Sequence, residues 1–242
     1  MVIDIGNTRV KAALFNGEEL AGAFVYESTD ALLSAGLIEK YGIPHCILAS
    51  VVNGIGSFEG QLKSRTNVLL FESSTPVPLN NLYKTAHSLG SDRLAGAVGG
   101  NGVFPDQDLL VIDAGTCIKY NFVNRRNEYL GGGISPGLRM RLKAMHTFTS
   151  RLPLLEVDEH FNTLVGTSSD ESILSGGLLG AVAEADGTID RYREQYPGIK
   201  VMFTGGDVKF FEKHIKNSIF ADQNLILKGL NRILNYNLNN KK

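Results

Sequence analysis

One strand-turn-strand pattern is written twice in this chain, as "VIDIGNTRVKAALF" at residues 2–15 and as "LLVIDAGTCIKYNFV" at residues 109–123. Each copy sets an aspartate, Asp4 or Asp113, inside an apolar strand and follows it with a glycine, Gly6 or Gly115. Apolar runs interrupted by Gly, Asn and Thr read as paired strands joined by a tight turn. The copies stand almost half the chain apart, so the repeat predicts two lobes built on one plan. Such lobes can close over a single ligand, each offering it one turn.

The remaining segments fit that plan. With 242 residues and 43% apolar content, the chain suits one large domain or two lobes of roughly 100–150 residues. Residues 1–45 read as a three-stranded meander. "STDALLSAGLIEKYG" has helical spacing between a Ser/Thr/Asp start and a glycine stop. "HCILASVV" and "NVLLFES" read as strands around a helix in "SFEGQLKSRT", and "SDRLAGAVGG" opens another helix. The Gly-, Pro- and Asp-bearing "NGVFPDQD" (101–108) separates two periodic regions, which predicts lobes of 1–105 and 106–242. In the second, helix is expected from Ser135 to about Met145. One long or two stacked helices are expected in "DESILSGGLLGAVAEADGTIDRYREQYPG", a final strand in "KVMFTGG", and an amphipathic helix in "NLILKGLNRILNYNL".

Composition excludes several classes. Lys+Arg 24 against Asp+Glu 25 leaves no global field to attract nucleic acid or an anionic membrane. Arg125–Arg126 and Lys241–Lys242 are the densest basic spots and read as solvated surface. No apolar run approaches the ~18 residues of a membrane span, and the N-terminus lacks a secretory pattern; a cytoplasmic address is expected. Cys46 and Cys117, the only cysteines, read as buried small apolar residues rather than as a disulfide. The histidines at 45, 87, 146, 160 and 214 lack metal-ligand spacing.

An ionised carboxylate within an apolar strand is costly unless it is paired or coordinated. A bound cation at Asp4 or Asp113 meets that need. Asn7 and Thr8 in the turn offer donors to phosphate oxygens, and Lys11 adds charge from the next strand. Each hairpin taken alone is also a plain structural turn, and the "SDR" at 91–93 is also a helix start, with Ser91 capping and Asp92 favouring the dipole. The Gly205–Gly206 pair after "VMFT" lets bare backbone approach a ring or a phosphate, though such a pair alone is a weak signal. "GGGISPGLRMRLKAMHTFTSRLP" (131–153) is too apolar for an exposed helix, and either core or an interface explains it.

"DIGNTRVK", "YKTAHSLGSDR", "VIDAGTCIKYNFV", "YLGGGISPGLRM" and "TGGD", in this order over nearly the whole chain, resemble type III pantothenate kinase. That family lies within the actin-like, sugar-kinase and heat-shock-chaperone ATPase superfamily. The resemblance implies an α/β, duplicated ribonuclease-H-like (actin-like ATPase) fold with a mixed sheet flanked by helices in each lobe. It implies ATP-dependent phosphorylation of pantothenate to 4′-phosphopantothenate in coenzyme A biosynthesis. By the same resemblance Asp4, Ile5, Gly6, Asn7, Thr8, Arg9, Val10 and Lys11 hold the triphosphate with Mg²⁺ at Asp4. Thr116 also contacts ATP, and Gly205 and Gly206 lie near the adenine. Asp113 takes a monovalent cation, K⁺ or NH₄⁺. Asp92 is the general base, and Tyr83, Gly90, Ser91, Asp92, Arg93 and Ser169 bind pantothenate. A homodimer with a shared active site is implied, with its interface near 131–153. Arg9 replaces an asparagine usual in the family, and Ser169 a threonine. A nucleotide-binding regulatory protein of the same fold, or a kinase or phosphohydrolase for another small molecule, stays open as an alternative.

Overall fold

The computed structural model describes residues 1–240; the reading of Lys241 and Lys242 lies outside them. The chain runs β1 (Val2–Ile5), β2 (Val10–Asn16), β3 (Glu19–Tyr26), α1 (Thr29–Ser34), α2 (Leu37–Tyr41), β4 (His45–Ser50), α3 (Gly56–Lys63), β5 (Asn67–Leu70), β6 (Asn80–Asn81) and α4 (Ser91–Val103). It continues with β7 (Leu109–Ala114), β8 (Cys117–Val123), β9 (Glu128–Gly131), β10 (Ile134–Pro136), α5 (Leu138–Thr147), α6 (Ser169–Leu174), α7 (Gly180–Gln195), β11 (Lys200–Thr204), α8 (Val208–His214), β12 (Phe220–Ala221) and α9 (Leu225–Asn239). Two compact units result. The first holds Met1–Pro105, Asn127–Leu130 and the chain from Asn224 onward; the second holds Asp106–Arg126 and Gly131–Gln223. Among the described residues no helix is long and apolar enough to cross a membrane.

The first unit is built on a five-stranded sheet of order β3-β2-β1-β4-β5. β1, β2 and β3 form the antiparallel meander, while β4 runs parallel to β1 and β5 parallel to β4. Side chains alternate across a strand, so Ile3, Ile5, Val10, Ala12 and Leu48 share one face and pack with Leu32, Leu37, Ile38, Phe58 and Leu62 of α1, α2 and α3. Val2, Asp4, Ala13 and Ala49 lie on the other face, which α4 and α9 cover. Ser28 starts α1 by accepting a hydrogen bond from Ala31 N at 3.1 Å.

In the second unit the strand order is β12-β11-β7-β8, with β10 paired to β8. β7 and β8 form the second antiparallel hairpin, and β11 and β12 run parallel to β7 and to each other. Leu110, Ile112, Ile118, Phe122 and Phe203 of this sheet pack against Leu138 and Leu142 of α5, Ala181, Ala185 and Ile189 of α7, and Phe211 of α8. Each unit is therefore a mixed sheet flanked by helices.

Several details differ from the sequence reading. Ser135 lies in β10, and the following helix begins at Leu138. β12 follows the expected final strand, but its two residues are too short to show a period. α6 and α7 are one helical run joined by a π-type turn at Ser175–Leu179. There Gly177 lies so near Leu142 of α5 that a Cβ would stand 2.8 Å from Leu142 Cδ2. Cys46 is buried as expected, whereas Cys117 is half-buried. Arg125 is exposed, yet its guanidinium reaches the buried Asp108 at 2.6 Å. Burial pushes that carboxyl up, but the hydrogen bonds and charge of Arg125 outweigh it and hold Asp108 below the usual carboxylate range.

Candidate active site

In the first unit the first hairpin and the start of α4 meet through β4. β1 carries Asp4, 8% exposed, one residue before its end, and Lys11 stands directly opposite on β2. Between them Gly6 N donates to Arg9 O at 3.0 Å, closing a turn whose Asn7, Thr8 and Arg9 side chains are exposed. Ile5 and Val10 on either side are buried and fix the turn to the sheet. Ile5 pairs with Ser50 at the end of β4, and the Ser91 hydroxyl points to Ser50 O at 3.5 Å. The start of α4 is thus seated beside the end of β1, at the carboxyl ends of parallel strands where α/β folds place ligands.

Gly90 precedes α4 and Ser91 is its first residue, so Ser91 is not the cap. Asp92 Oδ1 accepts from Arg93 N at 2.8 Å and serves the first turn of the helix. A Cβ on Gly90 would stand 2.6 Å from that oxygen. Arg93 is buried at 5% exposure, with its guanidinium 5.5 Å from the centre of the Tyr83 ring. Tyr83 in turn leans on Tyr129, ring centres 6.1 Å apart. Tyr83, Gly90, Ser91, Asp92 and Arg93 therefore form one cluster next to the first hairpin.

In the second unit Asp113, 6% exposed, lies at the end of β7, followed by Gly115 and the exposed Thr116. Thr204, the last residue of β11, pairs with Asp113 in register. Gly205 then turns with φ +101°, and a Cβ there would stand 2.2 Å from Ala114 O, so only glycine fits. Asp207 N donates to Ala114 O at 2.9 Å, and Arg139 of α5 pairs with Asp207 at 2.6 Å. Thr204 Oγ1 is buried and has no hydrogen-bond partner among the described residues. Asp113 and the Gly205 turn thus adjoin one another, with Thr204 fully buried beside them. Gly137 N donates to Thr116 O at 3.1 Å, joining α5 to the same turn. α5 and α7 are held by Arg141, which pairs with Glu184, and Glu184 accepts from Tyr120 of β8 at 3.2 Å. Burial and the neighbouring Glu184 carboxylate push the Tyr120 phenol well above its ordinary value, so it stays a donor.

Ser169 stands apart from the Gly205 turn. It opens α6 and lines a cleft of about 610 Å³ with Met145, Leu152, Gly166, Thr167 and Ile173.

One residue escaped the sequence reading. Lys119 stands opposite Asp113 in the β7–β8 ladder, and its Nζ lies 2.6 Å from Asp113 Oδ2. The signal was there, since both copies of the repeat place a lysine after the same apolar residue pair position, Val10-Lys11 and Ile118-Lys119. Asp113 Oδ2 is thus met by a cation that the chain itself supplies. Mg²⁺ is held by one or two carboxylates together with phosphate oxygens. Asp4, a buried carboxylate beside the first turn, fits that need without a larger cluster; among the described residues no group of three metal-ligating side chains occurs.

A sequence model of the family described as type III pantothenate kinase matches residues 1–191. A type III pantothenate kinase of Bacteroides fragilis is 44% identical over 239 residues, covering 98% of this chain and 98% of that protein. Among solved structures, a Baf family transcriptional activator from Campylobacter jejuni superposes with a TM-score of 0.63 at 20% identity, covering 98% of each chain. A ROK hexokinase from Thermus thermophilus does so with a TM-score of 0.55 at 12% identity, again over 98% of each chain. These two likenesses are of fold, the actin-like duplicated α/β architecture. Matched over most of its length by the family's sequence model and by a relative of 44% identity, the chain belongs to the type III pantothenate kinase family.

Proposed function

We propose that this chain transfers the γ-phosphoryl group of ATP to the primary hydroxyl of pantothenate, giving 4′-phosphopantothenate, the first step of coenzyme A synthesis, in the cytoplasm. The observation that carries this reading is the seat of Asp92 and Arg93 at the start of α4, joined through Ser91 and Ser50 to the end of β1. Phosphoryl transfer asks for positioning and charge neutralisation more than for covalent help. Mg²⁺, when bound at Asp4 with the triphosphate, neutralises charge that develops on the phosphoryl oxygens. Asn7 and Thr8 offer donors to those oxygens, and Lys11 adds a positive charge from β2. The Thr204–Gly206 turn and Thr116 take the nucleoside end. Asp92 accepts the proton that the acceptor hydroxyl loses as the new P–O bond forms. Arg93 orients pantothenate through its carboxylate, with the Tyr83 ring beside its guanidinium.

The test is a coupled ADP assay with purified protein, ATP and Mg²⁺. ADP release should rise on addition of pantothenate and stay at background with a sugar such as glucose. A folded protein with no pantothenate-dependent ADP removes the kinase reading.

The active form is read as a homodimer. Large apolar side chains stand exposed in one stretch of the second unit, among them Phe148 at 86%, Leu164 at 78% and Val165 at 75%. A second copy that covered these side chains would bury their apolar surface. Ser169 follows directly in the chain and is exposed as well, which supports its reaching the substrate of a second copy. Light scattering should give twice the chain mass, and Phe148→Asp should shift it toward the monomer; a monomeric parent protein would overturn this assembly.

A further inference from the structure

Asp113 has only 6% of its surface exposed, and burying a charge is costly without a partner. The family resemblance expects a K⁺ or NH₄⁺ ion there. The chain supplies its own. Lys119 is the direct cross-strand partner of Asp113, so both side chains leave the same face of the sheet, and the ammonium lies 2.6 Å from Oδ2. On the other side of the carboxylate lies the Gly205 turn, where a Cβ would stand 2.6 Å from Oδ1, so only glycine leaves that oxygen room.

A lysine head is an ammonium ion with one N–H replaced by carbon. It carries the same unit charge and donates the same kind of hydrogen bond. A free ion must be captured from solution, so its occupancy follows the salt present; Lys119 is tethered, so its charge is there in any salt. In the first hairpin Lys11 likewise stands opposite Asp4 in the ladder register. Both hairpins set a lysine opposite the aspartate in register, and in the second the ammonium meets the carboxylate beside the Gly205 turn.

We propose that the Lys119 ammonium takes the place of the monovalent cation, so that this chain needs Mg²⁺ but neither K⁺ nor NH₄⁺. The inference rests on the kinase reading above. Its test compares pantothenate-dependent ADP formation by the whole protein in KCl, NH₄Cl, NaCl and choline chloride at equal ionic strength. In the same salts the melting temperature is measured with and without Mg²⁺-ATP. Rates are expected to agree within about twofold across the four salts, whereas a missing charge contact would cost about 10²-fold. The ATP-induced rise in melting temperature is expected to be equal in choline and in KCl. A rate, or an ATP-induced rise, that appears only with K⁺ or NH₄⁺ overturns the proposal.

Lys119→Met keeps the length of the side chain and removes its charge. It is expected to make both readouts depend on K⁺ or NH₄⁺, and a folded Lys119→Met protein as active in choline as the parent overturns the proposal too. Absence of pantothenate-dependent ADP in every salt would remove the kinase reading instead, and the melting measurement would still decide whether nucleotide binding needs the ion.

Discussion

Asp92→Asn is expected to lower pantothenate-dependent ADP formation by about 10²–10⁴-fold, the range of a lost general base, with ATP affinity unchanged. The substitution separates chemistry from helix structure. Asp92 Oδ1 accepts from Arg93 N at 2.8 Å, and the carboxamide oxygen of asparagine can accept the same bond. The start of α4, and the placement of Arg93 over Tyr83, should therefore survive, and the melting temperature should move little. Asp92→Ala removes the acceptor as well and should cost a further ~0.5–2 kcal/mol of stability, as loss of a helix-start acceptor does. Activity near the parent level in Asp92→Asn, measured on folded protein, would leave Asp92 with its helix role alone.

Gly229→Ala is expected to lower the melting temperature more than any other single methyl group added to the first unit. α9 crosses α4 at Gly229, where a Cβ would stand 1.8 Å from Ala95 O and 2.9 Å from Gly99 N. Gly99 faces the same crossing, its Cβ position 2.4 Å from Leu225 O. The obstacles are backbone atoms, which cannot rotate aside, so the helices must part and open the packing of α9 over β1 and β4. Overpacking costs ~1–3 kcal/mol where side chains can yield, and more here. In a chain of this size that corresponds to a fall of roughly 10 °C or failure to fold. Gly187→Ala is the control, because Gly187 lies exposed in α7 with nothing within 4 Å of its Cβ position. It should gain up to ~1 kcal/mol from helix propensity. A Gly229→Ala protein that melts with the parent would mean that the helices do not cross at this spacing.

The hairpins were legible in the sequence because a strand's period of two and a turn's glycine are local signals. Asp4, Gly6, Asp113 and Gly115 could each be placed without knowing any long-range partner. The same holds for α1 with its Ser28 cap. The helix after Ser135 was placed three residues early, since β10 spans only Ile134–Pro136 and so few residues show no period. Lys119 was passed over for another reason. A lysine in a strand reads as solvated, and only the register that sets it opposite a buried aspartate makes it a partner.

What the sequence determined by itself is the duplicated α/β plan and the residue types at each turn, because both follow from short-range periodicity and backbone freedom. Tertiary structure alone decided that α9, last in the chain, belongs to the first unit. An amphipathic pattern states that a helix has an apolar face but not which surface will cover it; the matching glycines of α4 and α9 make that choice by letting two backbones meet. It decided the ionic partner of Asp113 in the same way, since a charge pair is a matter of distance in space.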